Sequence, residues 1–241
     1  MKDFGKYKKS KNKKIKNLIE DNLKEKIIYK AFKSHLEGNI TEATKYYQSF
    51  IKRGFKDFRV FFSYGNLLIG LGKLKEAESS YLKAIALKPD YANAHHNLGD
   101  ILKILGKLKE AESSYRKAIA LKPDFANAHY NLGNILNNIG KLKEAESSYR
   151  KVIALKPDFA NAHHNLGDIL NNVGKIKEAE LSYRKAIALK PDFAEAHYKL
   201  RNILNNIGKL REARLCSEKI MSTRSWSILG SYSFNREMKL D

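Results

Sequence analysis

The 241 residues predict an all-α fold, a solenoid of antiparallel helix pairs. Three observations carry that prediction. The four prolines stand at 89, 123, 157 and 191, so each gap between neighbours is 34 residues. Within each period, apolar residues recur twice at the i, i+3, i+4, i+7 spacing of one helix face. A glycine separates the two apolar runs, where the first helix must stop. A fixed period of this length is the signature of stacked helical hairpins, because a lone hairpin cannot bury its own apolar face.

The elements follow in chain order. Residues 1–17 are rich in lysine (Lys2, Lys6, Lys8, Lys9, Lys11, Lys13, Lys14, Lys16) and poor in apolar residues. They are expected to form a basic, disordered leader. A divergent unit fits at 24–57, marked by Gly38, Ala43, Tyr47 and Phe50. Five copies then run 58–91, 92–125, 126–159, 160–193 and 194–227. In copy 92–125, numbered 1 to 34, the first helix places His95, Leu98, Gly99 and Leu102 on one face. The second helix does the same with Leu108, Ala111, Tyr115, Ala118 and Ile119. Gly106 ends the first helix and Pro123-Asp124 ends the second. In the fifth copy Arg201 replaces the small residue corresponding to Gly99, and Ser217 replaces the tyrosine. A full arginine does not fit a gap built for glycine, so this unit is expected to pack poorly or to act as a solvated cap. Residues 228–241 carry Ile228, Leu229, Tyr232, Phe234, Met238 and Leu240 without helical period. This irregular tail either folds over the last groove or belongs to a longer architecture.

Leu98-Gly99, Leu102, Ala111, Tyr115 and Pro123 resemble the tetratricopeptide repeat pattern W-x2-L-G-x2-Y…A-x3-F…P. The pattern recurs at Leu132-Gly133, Ala145, Tyr149, Pro157 and at Leu166-Gly167, Ala179, Tyr183, Pro191. The resemblance covers roughly residues 24–227. One departure is systematic: His95, His129, His163 and His197 stand where the family has tryptophan. The resemblance implies a right-handed superhelix with first helices lining its concave face. The lysine leader and divergent first unit are similar to bacterial repeat-rich proteins of this family.

Charge and composition narrow the function. Lysine and arginine number 46 against 26 acidic residues, a net charge of +20. Much of that excess sits in residues 1–57, with 16 basic and 7 acidic residues, while copies 58–193 are close to balance. No apolar run is long enough to span a bilayer, and no apolar stretch follows the basic N-terminus as in a secretory signal. The single cysteine, Cys216, excludes a disulfide framework and an all-cysteine zinc site. A cytoplasmic location is expected. The chain contains no H-E-x-x-H, C-x-x-C, G-x-S-x-G or G-x-G-x-x-G spacing. No catalytic, cofactor-binding or metal-binding residue is assigned, and the chain is read as a non-enzyme. His95-His96 and His163-His164 are not metal pairs, since adjacent helical residues diverge by about 100°.

The candidate site is the unburied side of the first helices. Position 6 holds Asn97, Asn131 and Asn165, then Lys199; position 5 holds His96, Tyr130, His164 and Tyr198. Position 9 holds Asp100, Asn134, Asp168 and Asn202. Further amides stand at position 2 (Asn93, Asn127, Asn161) and in pairs at positions 12 and 13 (Asn137-Asn138, Asn171-Asn172, Asn205-Asn206). An amide offers donors and an acceptor, which suits the backbone of an extended peptide. The position-6 row is similar to the asparagine ladder in the tetratricopeptide arm of O-linked N-acetylglucosamine transferases. That resemblance implies binding of peptide main chain with loose selectivity, and it breaks at Lys199.

The leading reading is a scaffold that binds a protein or extended peptide on its concave face. A second is a targeting or substrate-recognition arm for a glycosyltransferase- or sulfotransferase-type enzyme whose catalytic domain lies outside this chain. A third is weak, non-specific contact of the lysine leader with nucleic acid or another anion, which should fall steeply with salt.

Overall fold

The computed structural model describes residues 2–219, and every regular element among them is helical. The helices are α1 (Lys2–Leu36), α2 (Ile40–Lys52), α3 (Phe58–Gly70), α4 (Leu74–Leu87), α5 (Ala92–Ile104) and α6 (Leu108–Leu121). They continue as α7 (Ala126–Asn138), α8 (Leu142–Leu155), α9 (Ala160–Asn172), α10 (Ile176–Leu189), α11 (Ala194–Asn206) and α12 over residues 210–219. The chain divides into two compact units, Met1–Leu121 and Lys122–Asp241. In the first, α1 pairs with α2, α3 with α4 and α5 with α6; in the second, α7 pairs with α8 and α9 with α10, with α11 against α10.

The turn after α5 shows how a hairpin is made. Gly106 takes φ +75, a left-handed conformation that costs a glycine little. Its N–H donates to the Lys103 carbonyl at 3.1 Å and that of Lys107 to the Leu102 carbonyl at 2.8 Å. These bonds satisfy two of the carbonyls that a helix end leaves open. The partner helix then buries Ala111, Ser114, Tyr115 and Ala118 against the first.

The tyrosines need space that only glycine provides. A Cβ at Gly99 would lie 2.7 Å from the Tyr115 ring, and one at Gly167 2.7 Å from that of Tyr183. Tyr47, Tyr81, Tyr115, Tyr149 and Tyr183 are all fully buried. The fifth copy changes both members of the pair, with Arg201 for glycine and Ser217 for tyrosine. Without the ring, Arg201 has room: it is half-buried, its guanidinium 4.6 Å from the Tyr198 ring centroid. α11 buries Ala196, His197, Leu200, Ile203 and Leu204.

Two further expectations meet the structure. Helix α1 runs through residues 2–17, where a disordered leader was expected. Lysine is a good helix former, and extending a helix already anchored by buried Ile27, Ile28 and Ala31 avoids the cost of nucleation. The end of the fifth copy (220–227) and the irregular tail (228–241) lie outside the described residues.

Candidate functional site: a polar ladder on the first helices

The first helices are held by histidines before they offer anything to a partner. His95 Nε2 lies 2.9 Å from the Pro89 carbonyl, and His129, His163 and His197 repeat the contact with Pro123, Pro157 and Pro191 at 3.0 Å. A carbonyl only accepts, so Nε2 carries the proton. These histidines latch each first helix to the preceding loop, the polar task that a tryptophan N–H can also perform. Burial holds the His129 imidazole below its ordinary range, against the opposing pull of its bond to Pro123.

Position 5 is largely covered in the inner copies. His96 is only 9 % exposed and His164 6 %. His96 packs on Tyr115 at 5.8 Å between centroids, and His164 on Tyr183 at 5.7 Å and Phe193 at 4.8 Å. Tyr130 sits half-buried between Tyr149 and Phe159. Each ring fills the space beside its own repeat's tyrosine, which a sequence-only view of one helix does not show. Tyr198 alone among these stays exposed, because Ser217 offers it no ring to cover.

Position 9 receives the buried tyrosine hydroxyls. Tyr81 donates to Asn66 Oδ1 at 2.7 Å, Tyr115 to Asp100 at 2.7 Å, Tyr149 to Asn134 at 2.8 Å and Tyr183 to Asp168 at 2.6 Å. Asn66 and these hydroxyls were missed by reading the first helices alone. The available signal was the tyrosine at position 24 in five units, since a buried phenol needs a hydrogen-bond partner.

Position 6 then bridges neighbouring repeats. Asn97 Nδ2 donates to Asn66 Oδ1 at 3.0 Å within the first unit. Asn165 Nδ2 donates to Asn134 Oδ1 at 3.0 Å and approaches the Tyr130 and Tyr149 hydroxyls at 3.3 and 3.4 Å within the second. Their own carbonyl oxygens face His96 Nδ1 at 3.2 Å and His164 Nδ1 at 3.1 Å. Asn131 is half-buried at the same position of α7 and is likewise engaged. The amide row ends at Lys199, where the ammonium meets Asp168 Oδ1 at 3.1 Å and an ion pair takes the place of the amide bond. Asn202 accepts from the Arg201 guanidinium at 3.2 Å.

These bonds determine what remains for a partner. Asn66 and Asn134 accept twice through Oδ1, which fixes the amide plane and turns Nδ2 outward. Neither Nδ2 has a partner among the described residues. Asn93, Asn127, Asn161, Asn138, Asn171, Asn172, Asn205 and Asn206 are also exposed. No group of three or more histidine, cysteine or carboxylate side chains among the described residues could hold a metal, and no described helix is long and apolar enough to cross a membrane.

Family models for the tetratricopeptide repeat match residues 65–105, 99–140, 126–159, 148–180 and 167–208, together more than half of the chain. The chain belongs to the tetratricopeptide repeat family. No curated protein matches it significantly. Among solved structures it is similar to MamA (24 % identity, 68 % of this chain and 96 % of that one, TM-score 0.65). It is also similar to YrrB, described as a TPR protein with an unusual peptide-binding site (21 %, 78 % and 97 %, 0.65). A third is a tetratricopeptide repeat protein from Parabacteroides merdae ATCC 43184 (18 %, 88 % and 88 %, 0.68). At these identities the likeness concerns the fold. In this tetratricopeptide protein the histidine latch and the ladder from position 6 to position 9 stand beside the family's small-residue packing.

Proposed function

We propose that the chain is a non-enzymatic scaffold that binds an extended protein segment along its first helices. The outward-turned amide nitrogens of Asn66 and Asn134 carry this reading. Their orientation is set by internal bonds, so a partner's main-chain carbonyl meets a donor already in place, and little ordering entropy is lost. The position-6 asparagines act as positioning residues, because their polar atoms are largely engaged within the chain. Exposed amides at positions 2, 12 and 13 supply further contacts in each unit. The peptide-binding site of the structurally similar YrrB supports the same class of role.

The test exploits the chain's own variation. Asp100 and Asp168 accept the tyrosine hydroxyl at position 9 just as asparagine does. Asn66→Asp with Asn134→Asp therefore keeps the tyrosine and ladder bonds and replaces each outward N–H donor with a carboxylate oxygen, which repels a main-chain carbonyl. A peptide selected from a random display library against the wild type should lose about tenfold or more in affinity for this variant, with circular dichroism unchanged. Equal affinity for both proteins would refute the role of these amides.

A further inference from the structure

The junction between α2 and α3 differs from the later ones. Phe61 stands at position 4 where other copies have the latch histidine, and Phe55 stands where they have proline. The chain leaves α2 through Gly54 at φ +74, with the Gly54 N–H on the Ile51 carbonyl at 3.0 Å and that of Phe55 on Phe50 at 3.3 Å. Phe50 packs edge-on against Phe55 and Phe61, at 5.5 and 6.4 Å between centroids. The polar latch is thus replaced by rings.

A groove of 500 Å³ opens there, lined by Ile51, Phe55, Phe61 and Leu87 with Lys56 and Lys83 among them. Leu87 is 40 % exposed in it. That volume lies in the range of sites that hold a large side chain or small ligand. Its charge is uncompensated. The Lys83 ammonium rests 5.7 Å from the Phe61 ring centroid. Neither Lys56 nor Lys83 pairs with a carboxylate among the described residues. Nearby, Asp57 is taken by Arg59 at 2.7 Å, and Asp90 lies 3.9 Å from Lys88. An apolar floor beside two unpaired ammonium groups has a definite complement: a bulky apolar side chain with carboxylates beside it.

We propose that this groove docks an acidic segment of a partner protein through one large apolar anchor. The anchor fills the space over Ile51, Phe55 and Phe61, and the flanking carboxylates meet Lys56 and Lys83. Buried anchors of this kind supply most of the energy of an interface, while the charges set selectivity and encounter rate. Phe61 and Asn66 point about 140° apart around α3 at 100° per residue. The groove is therefore separate from the ladder, and a partner could engage both.

The probe is a short blocked peptide with one tryptophan between glutamates, fluorescein-labelled and followed by anisotropy. Two controls replace its glutamates with lysines or its tryptophan with alanine. The acidic tryptophan peptide should bind saturably, and both controls at least about tenfold more weakly. Lys56→Glu with Lys83→Glu should abolish most of that binding. Lys109→Glu with Lys117→Glu changes net charge equally at exposed sites outside the groove lining and should preserve it. Equal loss in both variants would reduce the effect to net charge and overturn the proposal, as would undiminished binding of either control peptide. Sedimentation of the wild type decides the remaining occupant: a dimer that Leu87→Asp dissolves would assign the groove to a second copy of the chain. Each variant is checked for wild-type helicity, and a peptide that displaces nothing from the ladder leaves the scaffold reading intact.

Discussion

A single ring decides the packing at several levels. The buried tyrosine of each hairpin occupies the volume where a Cβ on the facing glycine would sit. Gly133→Ala would press a Cβ 2.8 Å from the Tyr149 ring. Overpacking of this kind should cost about 1–3 kcal/mol, measurable by urea denaturation. The same change should cost less by about 0.5 kcal/mol or more when combined with Tyr149→Ser. Arg201 and Ser217 are that exchange already made in the fifth copy. Reading Arg201 by itself suggested a misfit, whereas the pair shows a trade of volumes. The tyrosines also make stability sensitive to base. Burial pushes the Tyr81 hydroxyl up to about 12, opposed by its bond to Asn97. An unfolded tyrosine ionises near about pH 10. A raised folded value means the contribution is complete below that pH and is lost as pH rises through about 12. Alkaline unfolding should therefore begin above pH ~10 and coincide with phenolate absorbance. Phenolate absorbance that Tyr81→Phe removes, appearing without loss of helix, would contradict it.

The elements were largely legible because each is written several times over. The 34-residue period located the helix pairs, and the glycine in each copy located their turns. The ladder was legible only as a row of amides. Its direction was not, because a donor at position 6 finds its acceptor in the previous repeat and that acceptor is aimed by a tyrosine on a second helix. The cover over position 5 was not legible either, because the rings that pack on His96 and His164 come from other parts of their own repeat. The junctions now make a graded prediction. His163 is 9 % exposed and bonded to the Pro157 carbonyl at 3.0 Å. His163→Ala leaves both a void and an unpaired acceptor, and should cost about 2–4 kcal/mol. Asn138→Ala, on an exposed turn of α7, should stay within about 0.5 kcal/mol of wild type. Similar losses for both would mean that the histidine is not a latch.

Over the whole molecule two electrostatic effects oppose each other, and distance separates them. The second helices and the turns leading into them carry ion pairs between repeats: Lys107 with Glu78 at 2.7 Å, Arg150 with Glu178 at 2.8 Å and Lys209 with Glu180 at 2.9 Å. Arg184 and Lys209 together hold the Glu180 carboxyl below the usual range. With cations about half exposed, pairs of this kind contribute about 0–1 kcal/mol each. Against them stands a net charge of +20. The pairs lie at contact distance, well inside the screening length of about 8 Å at 0.15 M salt, whereas much of the excess charge interacts over longer distances. Salt should therefore weaken the repulsion more than the pairs. The melting temperature at pH ~7 should rise by a few degrees between about 0.02 M and 0.3 M sodium chloride. Acid should enlarge the effect. Glu180 has a lowered folded pKa, so its contribution is present above the unfolded value near about pH 4.3 and is lost as pH falls through the folded one. Neutralising carboxylates also raises the net positive charge. The salt-induced rise should thus be larger at pH ~4 than at pH ~7. A melting temperature that falls with salt at pH ~7 would place the ion pairs, not the surplus of lysine, in control of stability.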